Sequence, residues 1–419
     1  MTPAEKNWAG NITFGARRLS VPRSVAELRD LVCASDSARA LGTRHSFNAV
    51  ADTRGDLVSV AGLPRRVEID REAGAVTVSA GLRFGEFADE LHENGYALHN
   101  LGSLPHISVA GACATGTHGS GVGNRCIAGA VRALEMVTAD GRIVSLRRGE
   151  ADFPGAVVAL GALGVVTALT LDLVPSFDVQ QWVYEDLPEA RLTDSFDEVM
   201  SAAYSVSVFT DWREGPLNQV WLKQRVGSEG PQRAPREWLG ARLADGPRHP
   251  IAGMPAENCT RQEGVPGPWH RRLPHFRLEF TPSNGDELQS EYFVARQDAP
   301  AAYEALSRLR ERIAPLLQIA EIRTAARDDL WLSPASGRDS VAFHFTWVPD
   351  TAAVAPVLRA VEEALAPFGA RPHWGKVFTT APETLRTLYG HYADFERLVA
   401  RFDPQGTFRN AFLAHHFPN

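Results

Sequence analysis

Apolar residues at helical spacing predict two helices near the start of the chain. Ser24 and Glu27 have the spacing of a capping box, and the apolar positions that follow lie on one helical face: Val25, Leu28, Leu31 and Val32. A second stripe ends at Gly95 and consists of Phe84, Phe87, Ala88 and Leu91. Both stripes are expected to pack in a hydrophobic core.

Short β-prone runs separated by turn residues predict strands around these helices. Ala139-Asp140-Gly141 is a hairpin signal between two of the runs. The predicted strands are residues 57–60, 67–70, 75–79, 135–138, 142–146 and 163–171. Helices and strands mixed in this way indicate an α+β block that ends near Pro175.

The sequence pattern differs over residues 176–372, where apolar strand-like runs alternate with proline-rich and charged loops. We interpret this part as a cap that covers a substrate. In residues 320–324 and 343–347, polar and apolar positions alternate. Since alternate residues of a strand share a face, Glu321 lies with Arg323, and His344 lies with Thr346 opposite three aromatic residues. These faces either meet in one polar patch or face water as ordinary amphipathic strands do.

Length and composition narrow the class of protein. A chain of 419 residues with 44% hydrophobic and 22% charged residues is typical of a soluble enzyme with two domains. The net charge of -7 argues against nucleic acid or an anionic membrane as a partner. The four cysteines show no paired spacing, so we expect no metal site and no disulfide framework. The first residues lack the apolar core of a signal peptide, and we expect a cytoplasmic monomer.

The segment Gly42-Thr43-Arg44-His45-Ser46-Phe47 places a histidine in a small turn. Gly42 allows a flat ring system to approach the backbone, and His45 offers one ring nitrogen as a nucleophile. This pattern suggests a covalent flavin anchor, although a loop histidine without such a role has the same appearance.

A second segment, residues 101–123, is rich in glycine and hydroxyl residues. Successive backbone N–H groups in such a loop can hold a pyrophosphate. The glycine spacing fits neither a P-loop nor a Rossmann fingerprint, and a plain Gly/Ser linker would not contain the apolar residues Ile107, Val109 and Ala112.

These two segments, with Asn7-Trp8-Ala9-Gly10-Asn11 at one end and Arg409-Asn410-Ala411-Phe412 at the other, resemble alditol oxidases of the vanillyl-alcohol-oxidase flavoprotein family. The resemblance covers nearly the whole chain. It implies an α+β, two-domain flavoprotein: a PCMH-type FAD-binding domain over residues 1–175, a substrate cap over 176–372, and a C-terminal return, 373–419, to the FAD domain.

The resemblance also implies roles for individual residues. FAD would be joined covalently to His45 through Nδ1. The implied cofactor-binding residues are Gly42, Thr43, Arg44, His45, Ser46, Phe47, Gly102, Ser103, Ser108, Gly111, Thr115, Gly116, Thr117, His118, Val165, His373 and Asn410. The implied substrate-binding residues are Ser103, Glu321, Arg323, Thr346 and Lys376, and the implied catalytic residues are Arg323, Lys376 and His344.

Lysine usage draws attention to Lys376 independently. The chain has three lysines, Lys6, Lys223 and Lys376, among 43 basic residues. The lysine ammonium is compact and its pKa shifts readily on burial, whereas a guanidinium stays charged, so a lysine kept in an arginine-rich chain can indicate a reactive site. A lysine on the surface, however, would need no chemical reason to be kept.

The expected reaction is hydride removal from the terminal carbinol carbon of a polyol, with Arg323 and Lys376 stabilising negative charge on the oxygen. Ser103 and Glu321 would position hydroxyl groups, and His344 would relay the proton or fix its neighbours. The resemblance implies dioxygen as acceptor and hydrogen peroxide as product, with Gly102 leaving space for oxygen beside the flavin.

Other functions compete with this one. The nearest is a sugar-1,4-lactone oxidase or dehydrogenase of the same fold. An NADPH-dependent reductase with non-covalent flavin and a non-catalytic flavin or sugar-binding module are further alternatives. A metal hydrolase is the weakest, because the 13 histidines include no H-E-x-x-H motif.

Overall fold

The computed structural model describes residues 5–280 and 286–418. Within these ranges the strands are β1 (Arg18–Ser20), β2 (Ala38–Leu41), β3 (Asp56–Ser59), β4 (Val67–Asp70), β5 (Ala75–Ser79), β6 (Tyr96–Ala97), β7 (Gly121–Arg125), β8 (Val131–Val137), β9 (Ile143–Arg147), β10 (Val165–Asp172), β11 (Val174–Pro175), β12 (Asp178–Leu187), β13 (Ser205–Thr210), β14 (Leu217–Arg225), β15 (Glu237–Trp238), β16 (Ala241–Leu243), β17 (Gly267–Pro268), β18 (Leu288–Ala295), β19 (Leu317–Ala326), β20 (Ser340–Trp347) and β21 (Arg371–Pro372).

The helices of the same ranges are α1 (Val25–Cys33), α2 (Ala88–Glu93), α3 (Val109–Ala114), α4 (Phe153–Val157), α5 (Ala190–Asp194), α6 (Phe196–Met200), α7 (Ala299–Ser307), α8 (Arg310–Ile313), α9 (Thr351–Leu365), α10 (Pro382–Leu388), α11 (Tyr392–Phe402) and α12 (Ala411–His416). No helix in the part of the chain that is described is long and apolar enough to cross a membrane.

The N-terminal part contains two sheets. β1, β3 and β2 form a small parallel sheet, and β4-β5-β10-β8-β9 form an antiparallel sheet. Helix α1 begins where the capping box predicts, because the Ser24 side chain accepts the backbone N–H of Glu27. The predicted strands at 67–70 and 75–79 and the hairpin at 139–141 are confirmed.

The predicted helix over residues 84–91 is only partly correct. A 3-10 turn over Phe84–Glu86 precedes α2, and Phe87 interrupts the two with a φ of -132°. The backbone N–H groups of Phe84 and Gly85, which would have no partner inside a helix that begins here, donate to the carbonyls of Ile107 and Pro105. The segment is thereby tied to the glycine-rich loop, and its four apolar residues are buried as predicted.

The rest of the chain is organised by an 11-stranded sheet whose main path is β15-β16-β12-β14-β13-β19-β20-β18-β21. Helices α6, α7 and α9 contact strands β13 and β18 of this sheet. The apolar residues of β19 and β20 belong to the core on that side, among them Ile322, Phe343 and Phe345. The alternation predicted for these strands therefore leaves their polar residues on the opposite face.

A separate core joins distant parts of the sequence. Leu28 and Val58 from the N-terminal block pack in one cluster with Phe395 and Phe412 from the C-terminal helices. Trp269 of the middle part also joins it. The domain boundaries at residues 175 and 372 stay predictions, and the shared packing of the two ends supports the predicted return.

Candidate active site

A cavity of about 290 Å³ lies between the two cores and reaches both predicted loops and the large sheet. Its walls include most residues singled out from the sequence: Gly42, Thr43, Arg44, His45, Ser46, Phe47, Ser103, Ser108, Gly111, Thr115, Thr117, His118, Glu321, Arg323, His344, Thr346, His373 and Lys376. One continuous space thus connects the proposed cofactor loops with the charged strands.

Four of the sequence-based site residues are not in the cavity wall: Gly102, Gly116, Val165 and Asn410. A Cβ on Gly102 would lie 3.4 Å from Thr117 Cγ2 and 3.6 Å from the His118 carbonyl oxygen, which are ordinary contact distances, so the role of Gly102 in admitting oxygen stays a prediction. The Asn410 side chain caps α12 through Leu413 and donates to the carbonyls of residues 49, 50 and 52. In this structure it joins the C-terminal helix to the residues that follow the His45 segment.

The glycine-containing loops pack too closely for side chains. A Cβ on Gly42 would lie 2.6 Å from Ser108 Oγ, and a Cβ on Gly111 would lie 2.9 Å from the same atom. Thr43 Oγ1 accepts the backbone N–H of Ser108 at 3.3 Å, which holds the loops together. Behind them β8 and β10 supply an apolar wall that includes Met136 and Val166. A narrow, hydroxyl-lined cleft of this kind fits a flat, dinucleotide-sized group such as FAD.

His45 has one free nitrogen. Its Nδ1 lies 3.1 Å from the carbonyl oxygen of Thr43, and because a carbonyl only accepts, Nδ1 carries the proton. Its Nε2 is buried without a partner. Burial lowers the pKa of His45 to about 4, so the ring is neutral at neutral pH. The resemblance implies attachment through Nδ1, whereas the nitrogen that is free in this structure is Nε2.

Strand register aligns three ionisable residues in one row. His344 of β20 is paired with Glu321 of β19 on one side and with Glu291 of β18 on the other. All three side chains line the cavity, together with Arg323 and Thr346. The polar faces predicted for the two strands therefore meet in one patch rather than facing water.

Glu291, which the sequence analysis missed, is the centre of this patch. Its Oε1 accepts from Arg323 Nη2 at 2.8 Å and from His118 Nε2 at 3.1 Å, and its Oε2 accepts from Lys376 Nζ at 2.7 Å. The residue is 1% exposed. In the sequence of β18, Gln289 and Glu291 alternate with other residues as on one face of a strand, which could have indicated a polar face. The apolar run that follows Glu291 breaks this alternation.

The charges of the patch balance. Burial alone raises the pKa of Glu291, but Lys376, His118 and Arg323 outweigh it and hold this pKa well below its usual value. The same competition, with Arg323 as the main cation, lowers the pKa of Glu321. Burial lowers the pKa of His118, so this ring is neutral at neutral pH. Within the patch, the two carboxylates therefore face two cations, Arg323 and Lys376.

Hydrogen bonds fix the tautomer of His344. Lys376 Nζ donates to His344 Nδ1 at 2.7 Å, so the ring proton is on Nε2, 3.2 Å from Thr346 Oγ1. Burial and Lys376 hold the pKa of His344 well below its usual value. An ammonium has three hydrogens, and Glu291 and His344 take two, which leaves the third available to an oxygen atom in the cavity.

A second element that the sequence did not predict holds two residues of the cavity wall, Ser103 and Glu321. The backbone N–H groups of His275 and Phe276 both donate to the Ser103 carbonyl, at 3.0 and 3.2 Å. The His275 ring lies 2.7 Å from Glu321 Oε1, and burial lowers the pKa of His275 to about 4. Lys223 anchors this loop, because its buried Nζ donates to the carbonyls of residues 272, 273 and 274.

Comparison with known proteins agrees with this architecture. A family described as FAD binding domain matches residues 16–147, and one described as D-arabinono-1,4-lactone oxidase matches residues 286–416. An alditol oxidase from a Streptomyces species is 53% identical over 99% of both chains. An L-gulono-1,4-lactone dehydrogenase from Mycobacterium tuberculosis is 28% identical over 98% of both chains.

Among solved structures, a cholesterol oxidase from B. sterolicum superimposes with a TM-score of 0.80 at 15% identity, over 99% of this chain and 96% of that chain. At this identity the likeness concerns the fold, and it confirms the predicted two-domain FAD-binding class. The chain belongs to the alditol oxidase family of FAD-dependent, vanillyl-alcohol-oxidase-type oxidoreductases.

Proposed function

We propose that this protein uses FAD to oxidise the terminal primary hydroxyl of alditols such as xylitol and sorbitol to the aldose, with dioxygen as acceptor and hydrogen peroxide as product. The observation that carries the proposal is the continuous cavity that joins the His45 loop to the charged row on β18, β19 and β20. The 53% identity to an alditol oxidase supports the substrate class.

The two loops, with Gly42, Ser108 and Gly111 at their contact, would hold FAD, and His45 would bind it covalently. When bound, FAD accepts a hydride at N5 and passes the electron pair to dioxygen. Covalent attachment would join an imidazole nitrogen of His45 to the flavin methyl carbon in place of one C–H bond, with loss of two protons and with dioxygen as the two-electron oxidant that becomes hydrogen peroxide. The neutral ring and free nitrogen of His45 support this role.

Substrate hydroxyls would be held by Ser103, Glu321 and Thr346. The balanced charge of the patch favours a neutral substrate over an anionic hydroxy acid, because an additional buried negative charge would lack a partner. Several donors and acceptors spaced along the cavity suit a chain with several hydroxyl groups.

Lys376 and Arg323 would stabilise the negative charge that develops on the substrate oxygen as the carbinol C–H bond breaks. A preorganised donor in a water-poor site contributes about 10²–10³ in rate. Lys376 has a hydrogen available for this contact. At neutral pH His344 carries no second proton, because burial and Lys376 hold its pKa well below its usual value, so its role in this proposal is to hold Lys376 and Thr346 in place.

Oxidation of a sugar-1,4-lactone is the second candidate, favoured by the family match over residues 286–416 and by the more distant lactone dehydrogenase. Lactones are also neutral, so the charge balance does not separate the two. The greater identity to the alditol oxidase favours the first candidate.

Steady-state assays distinguish alditol oxidation from lactone oxidation. Oxygen uptake and peroxide release are measured with xylitol, sorbitol and aldono-1,4-lactones at matched concentrations. We expect a higher kcat/KM for the alditols, with one peroxide for each oxygen consumed. A higher kcat/KM for a lactone, or turnover only with an artificial acceptor, would contradict the proposal. The cytoplasmic location and the monomeric state remain predictions from the sequence.

A further inference from the structure

The first described residues form a closed turn that precedes the part of the chain matched by the FAD binding domain family. We call residues 5–14 the N-terminal hook. Lys6 and Thr13 form an antiparallel bridge, and the backbone N–H of Phe14 donates to Glu5 at 2.9 Å. Gly10 closes the turn with a φ of +72°, a conformation that few other residues adopt. The hook is therefore a small, internally bonded unit.

The hook is docked on the loop that carries His45. The backbone N–H of Trp8 donates to the carbonyl of Arg44 at 2.8 Å. Asn7 Nδ2 donates to the carbonyl of Ser46, and Asn11 Nδ2 to that of Phe47, each at 2.9 Å. These three bonds hold the residues on either side of His45, which leaves the loop backbone around the histidine little freedom.

Trp8 also contacts the imidazole itself. The rings of Trp8 and His45 are stacked, with centroids 5.1 Å apart and planes 16° apart. Phe47 packs edge-on against the same indole. The loop needs such support because Arg44, which precedes the histidine, has a φ of +65°, an uncommon conformation for a residue other than glycine.

We infer that the N-terminal hook is a positioning device for covalent flavin attachment: Trp8 fixes the plane of the His45 imidazole, and Asn7 and Asn11 fix the backbone that carries it. The inference rests on the proposed attachment at His45. A nucleophile that must meet one carbon atom reacts only in a narrow range of orientations, so a ring held in one plane reacts faster than one that turns freely. Trp8 is accordingly a positioning residue and not a catalytic one.

The test measures attachment rather than turnover. Holoproteins of wild type, Trp8→Ala, Trp8→Phe and Asn7→Ala are freshly purified and incubated in air with FAD. Intact mass after denaturation gives the fraction of chains that carry covalent FAD over time, and visible absorbance before denaturation gives total bound FAD. Trp331→Ala is the matched control. The rings of Trp331 and His391 are also stacked, with centroids 5.4 Å apart and planes 17° apart, but Trp331 is not part of the cavity wall.

We expect Trp8→Ala to bind FAD but to attach it about two- to tenfold more slowly than wild type, a range that corresponds to the loss of one aromatic pair. Trp8→Phe, which keeps a stacking ring, should restore most of the rate, and Asn7→Ala should slow attachment. Trp331→Ala should attach FAD at the wild-type rate.

Attachment at the wild-type rate in Trp8→Ala, or equal slowing in Trp8→Ala and Trp331→Ala, would overturn the inference. Loss of total FAD from Trp8→Ala, with the remaining FAD attached at the wild-type rate, would assign the hook to FAD binding and also overturn it. The wild-type arm reports on the function on which the inference rests: release of all FAD from denatured wild-type protein would refute attachment at His45 itself.

Discussion

Glu291 Oε2 lies 2.7 Å from Lys376 Nζ, and both side chains are largely removed from water. The same carboxylate binds Arg323 through its other oxygen. The two cations expected to stabilise an oxygen anion are therefore not isolated charges, because one buried carboxylate holds both of them. A single residue on β18 thus positions both cations.

Replacement of Glu291 by Gln should lower kcat/KM for xylitol by about 10²-fold, since Lys376 and Arg323 lose the anion that orients them. The pKa of Lys376 is already lowered by burial, with Glu291 as the main group that opposes the shift. Loss of the Glu291 charge should therefore move the alkaline limb of the kcat/KM profile by about 1–3 pH units toward acid. Glu362→Gln is the control. Glu362 accepts a hydrogen bond from the hydroxyl of Tyr292, which follows Glu291 in β18, and neither Glu362 nor Tyr292 is part of the cavity wall. An unmoved alkaline limb in Glu291→Gln would contradict this role.

Replacement of Lys376 by Arg should remove the alkaline limb. The wild-type enzyme should lose activity as pH rises through the lowered pKa of Lys376, because the neutral amine no longer stabilises the oxygen anion. A guanidinium stays charged over the assay range, so the variant profile should be flat there, with kcat reduced by about 10²-fold. The check is kcat/KM as a function of pH, with the surface variant Lys6→Arg as control. The same limb in Lys376→Arg would assign it to another group.

Removal of the His275 ring should affect substrate binding more than chemistry. In His275→Leu, Glu321 loses a 2.7 Å partner, and the KM for xylitol should rise about tenfold with a smaller change in kcat. His275→Gln keeps a donor and should fall between this variant and wild type. Steady-state kinetics give both constants. A fall in kcat at unchanged KM would show that His275 acts in the chemical step instead.

The contact between the two loops can be tested with a double-mutant cycle. Gly42→Ala places a Cβ 2.6 Å from Ser108 Oγ, so bound FAD per chain should fall at least several-fold. In a Ser108→Ala background the clashing oxygen is absent, and Gly42→Ala should have little further effect. The readout is visible absorbance per chain after purification. Equal losses in both backgrounds would show that the Gly42 effect does not act through Ser108.

The sequence predicted the elements whose signals are local. The Ser24 cap at the start of α1, the hairpin at 139–141 and the alternation in β19 and β20 depend on neighbouring residues, and the structure confirms each. That alternation was enough to place Glu321 with Arg323 on one face. Whether this face met another polar face or water depended on strand order, which local patterns do not contain.

The parts that the sequence did not predict depend on contacts between distant segments. Glu291 reaches Lys376 across 85 residues, and His275 reaches Glu321 across 46. The backbone N–H groups of residues 84 and 85 donate to carbonyls of the loop at 105–107. The resemblance assigns Asn410 to the cofactor, which stays a prediction; in the structure its amide caps α12 and donates to the carbonyls of residues 49, 50 and 52. The contacts of Glu291, of His275 and of residues 84 and 85 are tertiary hydrogen bonds that no local pattern encodes.

Anaerobic reduction of the holoprotein by xylitol, with and without deuterium on the terminal carbons, follows hydride removal from the alditol itself. We expect xylitol to bleach the visible flavin absorbance in a single turnover, deuterium to slow this bleaching, and air to restore the colour with release of hydrogen peroxide. A flavin that stays oxidised with xylitol and sorbitol but is bleached by an aldonolactone, or by no sugar derivative at all, would contradict this expectation.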